Sequence, residues 1–338
     1  MGISMRAMVL RRYAPAENSP LEHLEIQFPE PSEGQVRIKV AACGVCHTDL
    51  HTVEGDLPEV NLPIIPGHQV VGVVDKKGRG AGRFKKGDRV GVAWLFSACG
   101  KCEYCLRGDE NLCREGRFTG LHVAGGYAQY LVAPEQFVYA IPPVFIDVEA
   151  APLLCGGIIG YRALRLSSIR PGQRLGLFGF GASAHVAIQV ARHRGIEVFV
   201  FSRSAEHRRL AESLGAAWTG APKERPPVGL QAAIIFAPAG ELVLDALSVL
   251  EPGGTLALAG ITMTAIPEMD YVKHLYKERI LRSVANATRR DGEELLAVAA
   301  EIPIRTTTET FRLEEANKAL LRLKQGRING AGVLKIEA

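Results

Sequence analysis

The chain has 338 residues, of which 47% are hydrophobic, and a formal net charge of +4. Its length corresponds to about two domains, and its hydrophobic content is that of a globular protein with a large core. Because the charge is small and Lys and Arg are spread along the chain, no nucleic-acid or membrane surface is indicated, and the apolar runs are too short for a membrane span.

The N-terminal stretch and the cysteines together predict a cytoplasmic protein. Residues 1–18 lack the apolar core of a signal peptide, and Arg6 stands where a myristoylation motif requires Ser or Thr. The seven cysteines are those at positions 43, 46, 99, 102, 105, 113 and 155. In a reducing compartment such clusters favour metal binding over disulfides, and an odd number does not allow complete pairing.

From Arg6 to Tyr139 the sequence predicts a β-rich domain. Residues 36–40, 70–74 and 89–94 form alternating or continuous apolar runs bounded by glycines and charged residues. This pattern is typical of strands joined by short turns, as in a barrel or sandwich.

Two candidate metal ligands, Cys46 and His68, stand at the ends of predicted strands. Cys46 offers a thiolate and His68 an imidazole, both of which zinc accepts as tetrahedral ligands. Thr48 and His51 lie close to Cys46 in sequence and could carry a proton away from an open coordination position. Taken alone, His68 is more simply explained as a hydrogen-bonded core histidine.

A second cysteine group follows at Cys99, Cys102, Cys105 and Cys113. Its spacing, C-x2-C-x2-C-x7-C, matches a closed tetrahedral zinc site of the structural kind. Such a site has no open position for chemistry and stabilises a loop that has little apolar content of its own. A nucleic-acid-binding zinc ribbon uses similar spacing, but this segment has no basic flank and lies inside a larger β domain.

After Pro142-Pro143 the pattern changes to alternating helices and strands. A helix is predicted over 148–168, followed by strands and helices in alternation: strands over 175–178, 197–201, 232–236 and 255–259, and helices over 184–194, 205–214 and 241–250. This alternation predicts a parallel sheet with helices on both faces. Two further helices, 292–300 and 313–324, and a strand over 332–336 complete the chain.

Cys155 is the candidate third ligand of the first metal site. Alone it would be a buried small hydrophobe, as free cysteines usually are. With Cys46 and His68 it completes a Cys2His set, in which the fourth zinc position stays open for an alcohol or carbonyl oxygen. Cys43 is left over, and we assign it to packing.

The segment 175–185 predicts a dinucleotide-binding loop, because it matches G-x-G-x-x-[GA] between a strand and a helix. Gly179 allows the tight turn, Gly181 lets the backbone approach a pyrophosphate, and Ala184 is small enough for the helix to pack on the strand. Ala182 and Ser183 complete the loop, where the N-terminus of the helix faces the phosphates.

The end of the next predicted strand, Ser202-Arg203, bears on the choice of cofactor. NAD sites usually have Asp or Glu about 20 residues past the glycine loop, where it holds the ribose hydroxyl. A hydroxyl and a guanidinium suit a 2′-phosphate instead, so that NADP is favoured over NAD. The alternative is that Arg203 is a solvated surface residue.

With these motifs assembled, the chain resembles the zinc-dependent alcohol dehydrogenases of the medium-chain dehydrogenase/reductase superfamily over essentially its whole length. The resemblance rests on the blocks 46–51, 66–68, 125–128 and 154–157, the four-cysteine segment and the glycine loop. It implies an α/β fold with a GroES-like β-rich catalytic domain (residues 1–150 and 287–338) and an inserted Rossmann domain with a doubly wound parallel sheet (residues 151–286). The structural zinc lobe would cover residues 95–115, and the active site would lie in the cleft between the domains.

The resemblance also implies roles for the residues around Cys46. His47 would contact the cofactor pyrophosphate. Thr48 would take the proton of the alcohol and pass it through the nicotinamide ribose to His51. Asp49 would form a hydrogen bond to the metal ligand His68 and so orient it.

Further positions follow from the same resemblance. Arg289 would meet the cofactor phosphates, and Trp94, Phe118 and Leu121 would line the substrate pocket. The family usually has Glu where this chain has Gln69, beside the metal ligand. We therefore expect one negative charge fewer near the metal and a more electrophilic zinc.

The leading hypothesis is an NAD(P)-dependent alcohol dehydrogenase with two zinc sites per chain, acting on primary or simple secondary alcohols and the matching aldehydes or ketones. An NADPH-preferring zinc aldehyde reductase of the same fold is the first alternative. The second is a non-catalytic zinc-binding or redox-sensing protein. Because the family's enzymes assemble through the edges of their Rossmann sheets, a homodimer or homotetramer is expected, with no nucleic-acid or membrane partner.

Overall fold

The computed structural model of the protein describes residues 4–57, 60–302, 304–328 and 330–337. The chain divides into two compact units, the first formed by Met1–Cys155 with Thr288–Ala338 and the second by Gly156–Ala287. The sequence-based boundaries differ from these at residues 151–155 and at residue 287. The difference arises because the 3-10 turn Ala151–Leu154 is buried among the strands of the first unit.

Seventeen strands lie within the described residues: β1 (Ser4–Leu10), β2 (Leu21–Gln27), β3 (Gln35–Val45), β4 (Gln69–Lys77), β5 (Arg89–Val92), β6 (Leu95–Ser97), β7 (Arg117–Phe118), β8 (Tyr130–Pro134), β9 (Val138–Ala140), β10 (Arg174–Phe178), β11 (Glu197–Phe201), β12 (Trp218–Gly220), β13 (Leu230–Ile235), β14 (Leu250–Leu258), β15 (Ile280–Ser283), β16 (Thr308–Arg312) and β17 (Ala331–Lys335). The ten α-helices in the same ranges are α1 (His47–Glu54), α2 (Glu103–Leu106), α3 (Asp147–Ala150), α4 (Gly156–Leu166), α5 (Ala182–His193), α6 (Ala205–Ser213), α7 (Leu242–Ser248), α8 (Tyr271–His274), α9 (Arg289–Glu301) and α10 (Ala316–Lys324).

The first unit is built on a seven-stranded sheet with the order β16-β17-β3-β4-β5-β9, in which β8 also pairs with β3. Along β3 the side chains of Val36, Ile38 and Val40 are buried in alternation, as expected for a half-buried strand. Its last residues are buried throughout and lead directly to Cys46. The smaller pairs β1-β2 and β6-β7 belong to the same unit.

The second unit is a six-stranded parallel sheet with the order β12-β11-β10-β13-β14-β15. The chain starts in the middle at β10, builds outward to β12, and then returns to the other side of β10 at β13. Ligands of such sheets bind at the carboxyl ends of the strands where this reversal occurs. The hydrophobic core of this unit includes Phe178 at the end of β10 and Phe201 at the end of β11, whose ring centroids lie 4.1 Å apart. The predicted fold class, a GroES-like domain with a Rossmann domain, is confirmed.

One local expectation was wrong. The single helix predicted over 148–168 is divided into α3, a 3-10 turn and α4, because Pro152 has no N–H to donate and Cys155 takes a non-helical conformation, φ −134° and ψ −77°. The region predicted to be β-rich also contains a helix, α1, whose polar start at His47 gives little apolar periodicity. Within the described ranges, none of the helices combines the length and the apolar character that crossing a bilayer requires.

Candidate active site and metal centres

Cys46, His68 and Cys155 each bring one ligand atom within 4.8 Å of the other two. The Sγ of Cys46 lies 3.3 Å from Nε2 of His68 and 3.9 Å from Sγ of Cys155. The first two meet because β3 and β4 are antiparallel neighbours in which Gly44 pairs with Gln69, so that Cys46 follows one strand and His68 precedes the other. Cys155 reaches the same point from the end of the 3-10 turn.

Asp49 holds two of these ligands in place from the first turn of α1. Its Oδ2 accepts a hydrogen bond from the backbone N–H of Cys46 (2.9 Å), and its Oδ1 lies 3.0 Å from Nδ1 of His68. The same Oδ1 accepts from the backbone N–H of Gly67 at 3.1 Å. Because a carboxylate can only accept, Nδ1 of His68 must carry the proton, and Nε2 is left as the nitrogen that faces the sulfurs.

The turn before His68 can be formed only by glycine. Gly67 has φ +98°, and a Cβ there would lie 2.4 Å from the ring of Tyr127 and 2.9 Å from Sγ of Cys43. Cys43 is thus a fully buried packing residue next to the site rather than a member of the ligand cluster. Burial raises the pKa of its thiol well above the ordinary value.

The donor atoms of the cluster, two sulfurs and one imidazole nitrogen, fit a divalent cation such as zinc. The neighbouring Cys155 and burial raise the pKa of Cys46 well above its usual range. Burial alone would lower the pKa of His68, but the charges of Asp49 and Cys46 raise it well above the ordinary value. These protons must leave when a cation binds, because zinc takes thiolate and neutral imidazole as its ligands.

The start of α1 presents the two residues of the predicted relay, Thr48 and His51, together with His47, which was predicted to contact the cofactor pyrophosphate. His47 and His51 are one turn apart, with ring centroids separated by 6.5 Å, and Thr48 is 8% exposed. Burial, and then the neighbouring His51, lower the pKa of His47. The Nδ1 of His51 lies 2.8 Å from Oδ2 of Asp56. Sequence reasoning missed Asp56, although its position just after the helix-ending Gly55 was a usable signal.

Aromatic side chains line one side of the cluster. The ring of Trp94 lies 6.3 Å from that of His68 and stacks on Phe118 at 4.4 Å. Leu121 is buried beside them, and its N–H donates to the carbonyl of Phe118. His122, which sequence reasoning missed, accepts a hydrogen bond from the N–H of Phe118 at 3.2 Å and so fixes this loop.

Gln69, the residue that departs from the family pattern, is 3% exposed. Its side chain packs against Gly44, where a Cβ would lie 2.6 Å from it. Among the residues that the structure describes, its Nε2 has no hydrogen-bond partner. The amide is therefore buried beside the candidate metal ligand His68 at a cost, since an unpaired polar group loses its hydration.

The four-cysteine segment forms a second cluster, with its four sulfurs within 4.8 Å of one another. The sulfurs of Cys102 and Cys105 lie 3.6 Å apart, far beyond a disulfide bond. Backbone N–H groups of Lys101 and Cys102 lower the pKa of Cys99 to about 7, whereas burial raises that of Cys105 to about 12. All four positions of a tetrahedral ion would be filled here.

Arg289, predicted to contact the cofactor phosphates, is engaged by a carboxylate of its own unit. Its Nε lies 2.9 Å and its Nη2 2.5 Å from the two oxygens of Glu110, and its backbone N–H donates to the same group. The guanidinium also lies over the ring of Phe137. A phosphate contact would have to compete with this pairing, so the predicted role of Arg289 stays a prediction.

In the second unit the glycine loop joins β10 to α5. Gly179 has φ +86°, and a Cβ there would lie 3.0 Å from the backbone of Ala237. At Gly181 a Cβ would meet open space, which leaves the backbone accessible at the N-terminus of α5, where Ala182 and Ser183 stand. Ala184 is fully buried, as expected of the small residue at that position.

The end of β11 carries Ser202 and Arg203, with a third residue that sequence reasoning missed. Ser202 is 5% exposed, whereas Arg203 is exposed. Arg208, one turn into α6, donates from Nη1 to the carbonyl of Ser202 at 2.6 Å and to that of Arg203 at 3.2 Å. Two guanidinium groups and a helix N-terminus capped by Ser204 therefore share this corner.

Comparison with known proteins agrees with this architecture. Residues 32–143 match the family model "Alcohol dehydrogenase GroES-like domain", and residues 184–301 match "Zinc-binding dehydrogenase". The "Probable alcohol dehydrogenase AdhA" of Mycobacterium tuberculosis (strain CDC 1551 / Oshkosh) is 48% identical over 338 residues, covering 98% of each chain. An alcohol dehydrogenase of Geobacillus stearothermophilus is 40% identical over 342 residues, covering 98% of this chain and 99% of that one.

Among solved structures, the cobalt- and zinc-bound thermostable alcohol dehydrogenase of Pyrobaculum aerophilum is similar, with a TM-score of 0.90 and 26% identity over 98% of this chain and 100% of that one. The alignments to the Mycobacterium and Geobacillus relatives each cover 98% of this chain and so extend over both units. The family resemblance that the motifs predicted is therefore confirmed: this chain belongs to the zinc-dependent alcohol dehydrogenases of the medium-chain dehydrogenase/reductase superfamily.

Proposed function

We propose that this chain holds a catalytic zinc on Cys46, His68 and Cys155, uses NADP in preference to NAD, and interconverts primary or simple secondary alcohols with aldehydes or ketones. The observation that carries the proposal is the convergence of three zinc-type ligand atoms within 4.8 Å. The Pyrobaculum aerophilum relative, solved with cobalt and zinc, supports a metal in an enzyme of this fold.

The chemistry divides between the bound groups and the protein. When bound, zinc polarises the substrate oxygen and a nicotinamide exchanges hydride with the adjoining carbon. Thr48 accepts the proton of the alcohol at its hydroxyl oxygen as it gives up its own hydroxyl proton, and His51, one turn along α1, receives one proton and releases one to water. Asp49 keeps His68 in the tautomer whose Nε2 can bind a metal. Trp94 and Phe118 form an apolar wall that favours the carbon part of the substrate.

A second zinc on Cys99, Cys102, Cys105 and Cys113 would serve the fold rather than the reaction. Four sulfurs within 4.8 Å complete a tetrahedral site and leave no position for substrate. The cysteines of both clusters are free thiols, which suits the cytoplasmic location that the sequence predicts.

The preference for NADP rests on the corner at the end of β11. Arg203 and Arg208 together can pair with a 2′-phosphate, and Ser202 offers a hydroxyl where an NAD site needs a carboxylate. Gly179, Gly181 and the first residues of α5 would cradle the pyrophosphate.

An NADPH-preferring aldehyde reductase is the second candidate. The two arginines at the end of β11 favour it as much as they favour an NADP-dependent dehydrogenase. The two functions differ only in the direction in which the enzyme works and in its substrate range.

We further propose that the chain assembles as a homodimer or homotetramer through β15. This strand ends the six-stranded sheet, and Tyr271, Val272, Tyr276 and Ile280, in and near it, are each at least half exposed. An edge strand with exposed apolar neighbours is a typical site for pairing with a second copy. Light scattering of wild type and Ile280→Lys tests this, because a charge at the paired edge should at least halve the mass of the assembly.

The test of the function is a panel of alcohols and aldehydes measured with both cofactors, together with zinc analysis. We expect alcohol-dependent NADPH formation, two zinc ions per chain, and kcat/KM at least about tenfold higher with NADP than with NAD. Arg203→Ala should reduce that ratio without changing zinc content. A preference for NAD would overturn the cofactor assignment, and full zinc content without any turnover would support a non-catalytic zinc protein.

A further inference from the structure

We propose that the cavity beside the β1–β2 hairpin is a second ligand site, which binds a small apolar carboxylate and thereby makes the substrate pocket less tolerant of bulky substrates. The effect on substrates rests on the proposed function, which places Phe118 and Trp94 in the substrate pocket. The observation behind the site itself is a cavity of about 430 Å³ with mostly apolar walls and one arginine at its rim.

The hairpin forms one wall of the cavity. β1 and β2 are antiparallel, with Ala7 opposite Leu24 and Val9 opposite Glu22. Because side chains two residues apart share a face of a strand, Leu24 and Ile26 point to the same side, and both are half-buried between exposed neighbours. Together with Val9 they give the hairpin an apolar face toward the cavity.

The opposite wall consists of two loops that are hydrogen-bonded to the hairpin and to each other. Ile64 exchanges two backbone hydrogen bonds with Leu10 at the end of β1, at 2.8 and 2.9 Å. Asn61 donates from its backbone N–H to the carbonyl of Leu121 and from Nδ2 to that of His122, both at 3.3 Å. The walls are therefore formed by the fold itself, and the volume lies in the range of about 300–1,000 Å³ that is usual for small-molecule sites.

The side chains around the cavity define the class of ligand. Its apolar walls are formed by six side chains, those of Val9, Leu24, Ile26, Ile64, Ile65 and Val123. Arg11 carries the one permanent positive charge among the described residues that line the cavity, and none of these residues is acidic. A ligand with an apolar body and one carboxylate matches this combination, because a guanidinium binds a carboxylate through two parallel hydrogen bonds.

Arg11 can bind such a ligand because its present ion pair is weak. Its Nε lies 3.4 Å from Oε2 of Glu22, and the two side chains are 61% and 51% exposed. Ion pairs at sites this exposed contribute little to stability. The guanidinium has five N–H donors, so a carboxylate seated over the apolar walls can share it with Glu22 or replace Glu22. Burial of the apolar body supplies affinity, and Arg11 selects for the negative charge.

A single turn of the chain separates the cavity from the aromatic side of the first metal cluster. His122 lines the cavity, whereas the ring of Phe118 stacks on Trp94. The N–H of Phe118 donates to Nδ1 of His122 at 3.2 Å, the N–H of His122 donates to the carbonyl of Phe118 at 2.9 Å, and the two ring centroids lie 5.3 Å apart. A ligand packed against His122 favours this arrangement of the turn and disfavours any in which Phe118 has moved aside for a bulky substrate.

The test of the site uses the full-length zinc-loaded protein, with octanoate as the probe and octanamide as its neutral counterpart. Calorimetric titration should show a saturable octanoate site, at least about tenfold tighter than for octanamide, as expected of hydrogen bonds to a charged group. Arg11→Gln should weaken octanoate binding by the same factor. Arg12→Gln removes the same charge from the next residue, which does not line the cavity, and should bind as wild type does. Cys46→Ser should also keep the site, which separates it from a carboxylate bound to the catalytic zinc.

Steady-state kinetics tests the connection to the substrate pocket. Saturating octanoate should raise the KM for benzyl alcohol about fivefold, the lower end of usual coupling between two sites, and leave the KM for ethanol within about twofold. In Arg11→Gln neither KM should respond. An equal rise of both KM values in both proteins would mean that octanoate competes at the zinc, and it would overturn the coupling.

The outcomes distinguish the ligand site from the proposed function. If wild type binds octanoate no more tightly than Arg11→Gln does, the site is wrong, whatever the activity of the enzyme. Absence of turnover with every alcohol would overturn the proposed function and with it the effect on substrates, while calorimetry would still decide the site. If octanoate does not bind and Ile26→Lys lowers the mass of the assembly in light scattering, a second copy of the chain covers the cavity, and this too would overturn the ligand site.

Discussion

The two cysteine clusters of the first unit have similar geometry but opposite origins. In both, the ligand atoms lie within 4.8 Å of one another. Cys46, His68 and Cys155 come from three separated parts of the chain, and Asp49 is hydrogen-bonded to two of them. The four cysteines of the other cluster lie within residues 99–113, in a segment with only short helical turns.

The difference teaches what the fold does for each site. The first cluster forms where β3, β4 and the buried 3-10 turn meet, so the fold itself brings the three ligand atoms together. The second has little packing of its own: α2 has no buried residue, and Leu106 is 76% exposed. A bound ion should organise this segment, as it does in small zinc domains.

The largest expected effect is loss of activity on removing a ligand of the first cluster. Cys46→Ser should lower kcat/KM by about 10³-fold or more, because polarisation of the substrate oxygen supplies several kcal/mol. The melting temperature should change little, since the strands around the site remain. Steady-state kinetics measures kcat/KM, and calorimetry measures the melting temperature.

Cys43→Ala is the matched control for that variant. Cys43 lies three residues earlier on β3, is fully buried and is not in the ligand cluster. The Cys43→Ala variant should lose about 1 kcal/mol of stability but keep its activity within about twofold of wild type. Equal inactivation of both variants would mean that packing, not ligation, explains the first result.

The second expectation is the reverse pattern at the four-cysteine cluster. Cys102→Ser should remove one zinc per chain and lower the stability by about 3 kcal/mol, or about 6–12 °C in melting temperature for units of this size. Activity per folded molecule should stay close to that of wild type. Leu106→Ser, an exposed change in the same segment, should alter neither zinc content nor stability.

The sequence predicted most of this contrast because metal ligands keep a readable spacing. The four-cysteine cluster is local, so its pattern alone identified it, and β10 with the glycine loop was recognisable from its strand–turn–helix context. Cys155 was assigned as a ligand through Cys46 and His68 and through the block 154–157 of the family resemblance, since a lone cysteine by itself indicates only packing.

What the sequence could not predict depends on contacts between distant residues. The pairing of Arg289 with Glu110 joins residues 179 positions apart, and the packing of Tyr127 over Gly67 becomes visible only when the strands are placed. The break at Cys155 escaped the helical pattern because periodicity records which side chains are apolar, not where a proline removes a backbone donor.

The third expectation concerns Asp49. Its substitution tests whether the first cluster depends on hydrogen bonds within the fold, while the four-cysteine cluster depends on its metal. Asp49→Asn should weaken zinc binding at the first cluster about 10- to 100-fold, because His68 loses the carboxylate that fixes its tautomer. Dialysis against a chelator should then remove one zinc per chain early, and zinc analysis of the dialysed protein measures this loss. The four-cysteine zinc in the same molecules is the internal control, and its early loss as well would contradict a local role for Asp49.

The smallest expected effect lies at the connection between the four-cysteine segment and the rest of its unit. Glu110, three residues before Cys113, binds the backbone and the guanidinium of Arg289 at the start of α9. Burial would raise the pKa of Glu110, but its hydrogen bonds and charge pairing with Arg289 outweigh this and hold it below the ordinary value. A carboxyl group whose pKa is lowered by folding stabilises the folded state above its unfolded pKa, and this contribution disappears as the pH falls through the folded value.

Glu110→Gln should therefore cost about 1–3 kcal/mol at pH 7, the range for a hydrogen bond to a charged group. The cost should persist down to the unfolded pKa of about 4.3 and shrink below it, because wild-type Glu110 then becomes neutral as well. Urea unfolding of both proteins between about pH 7 and pH 3 measures this dependence. Glu103→Gln is the control in the same segment, since Glu103 is largely exposed and 3.7 Å from Arg114, and it should change stability by less than about 0.5 kcal/mol. A pH-independent cost in Glu110→Gln would show that Glu110 contributes through packing, and the segment would then depend on its metal alone.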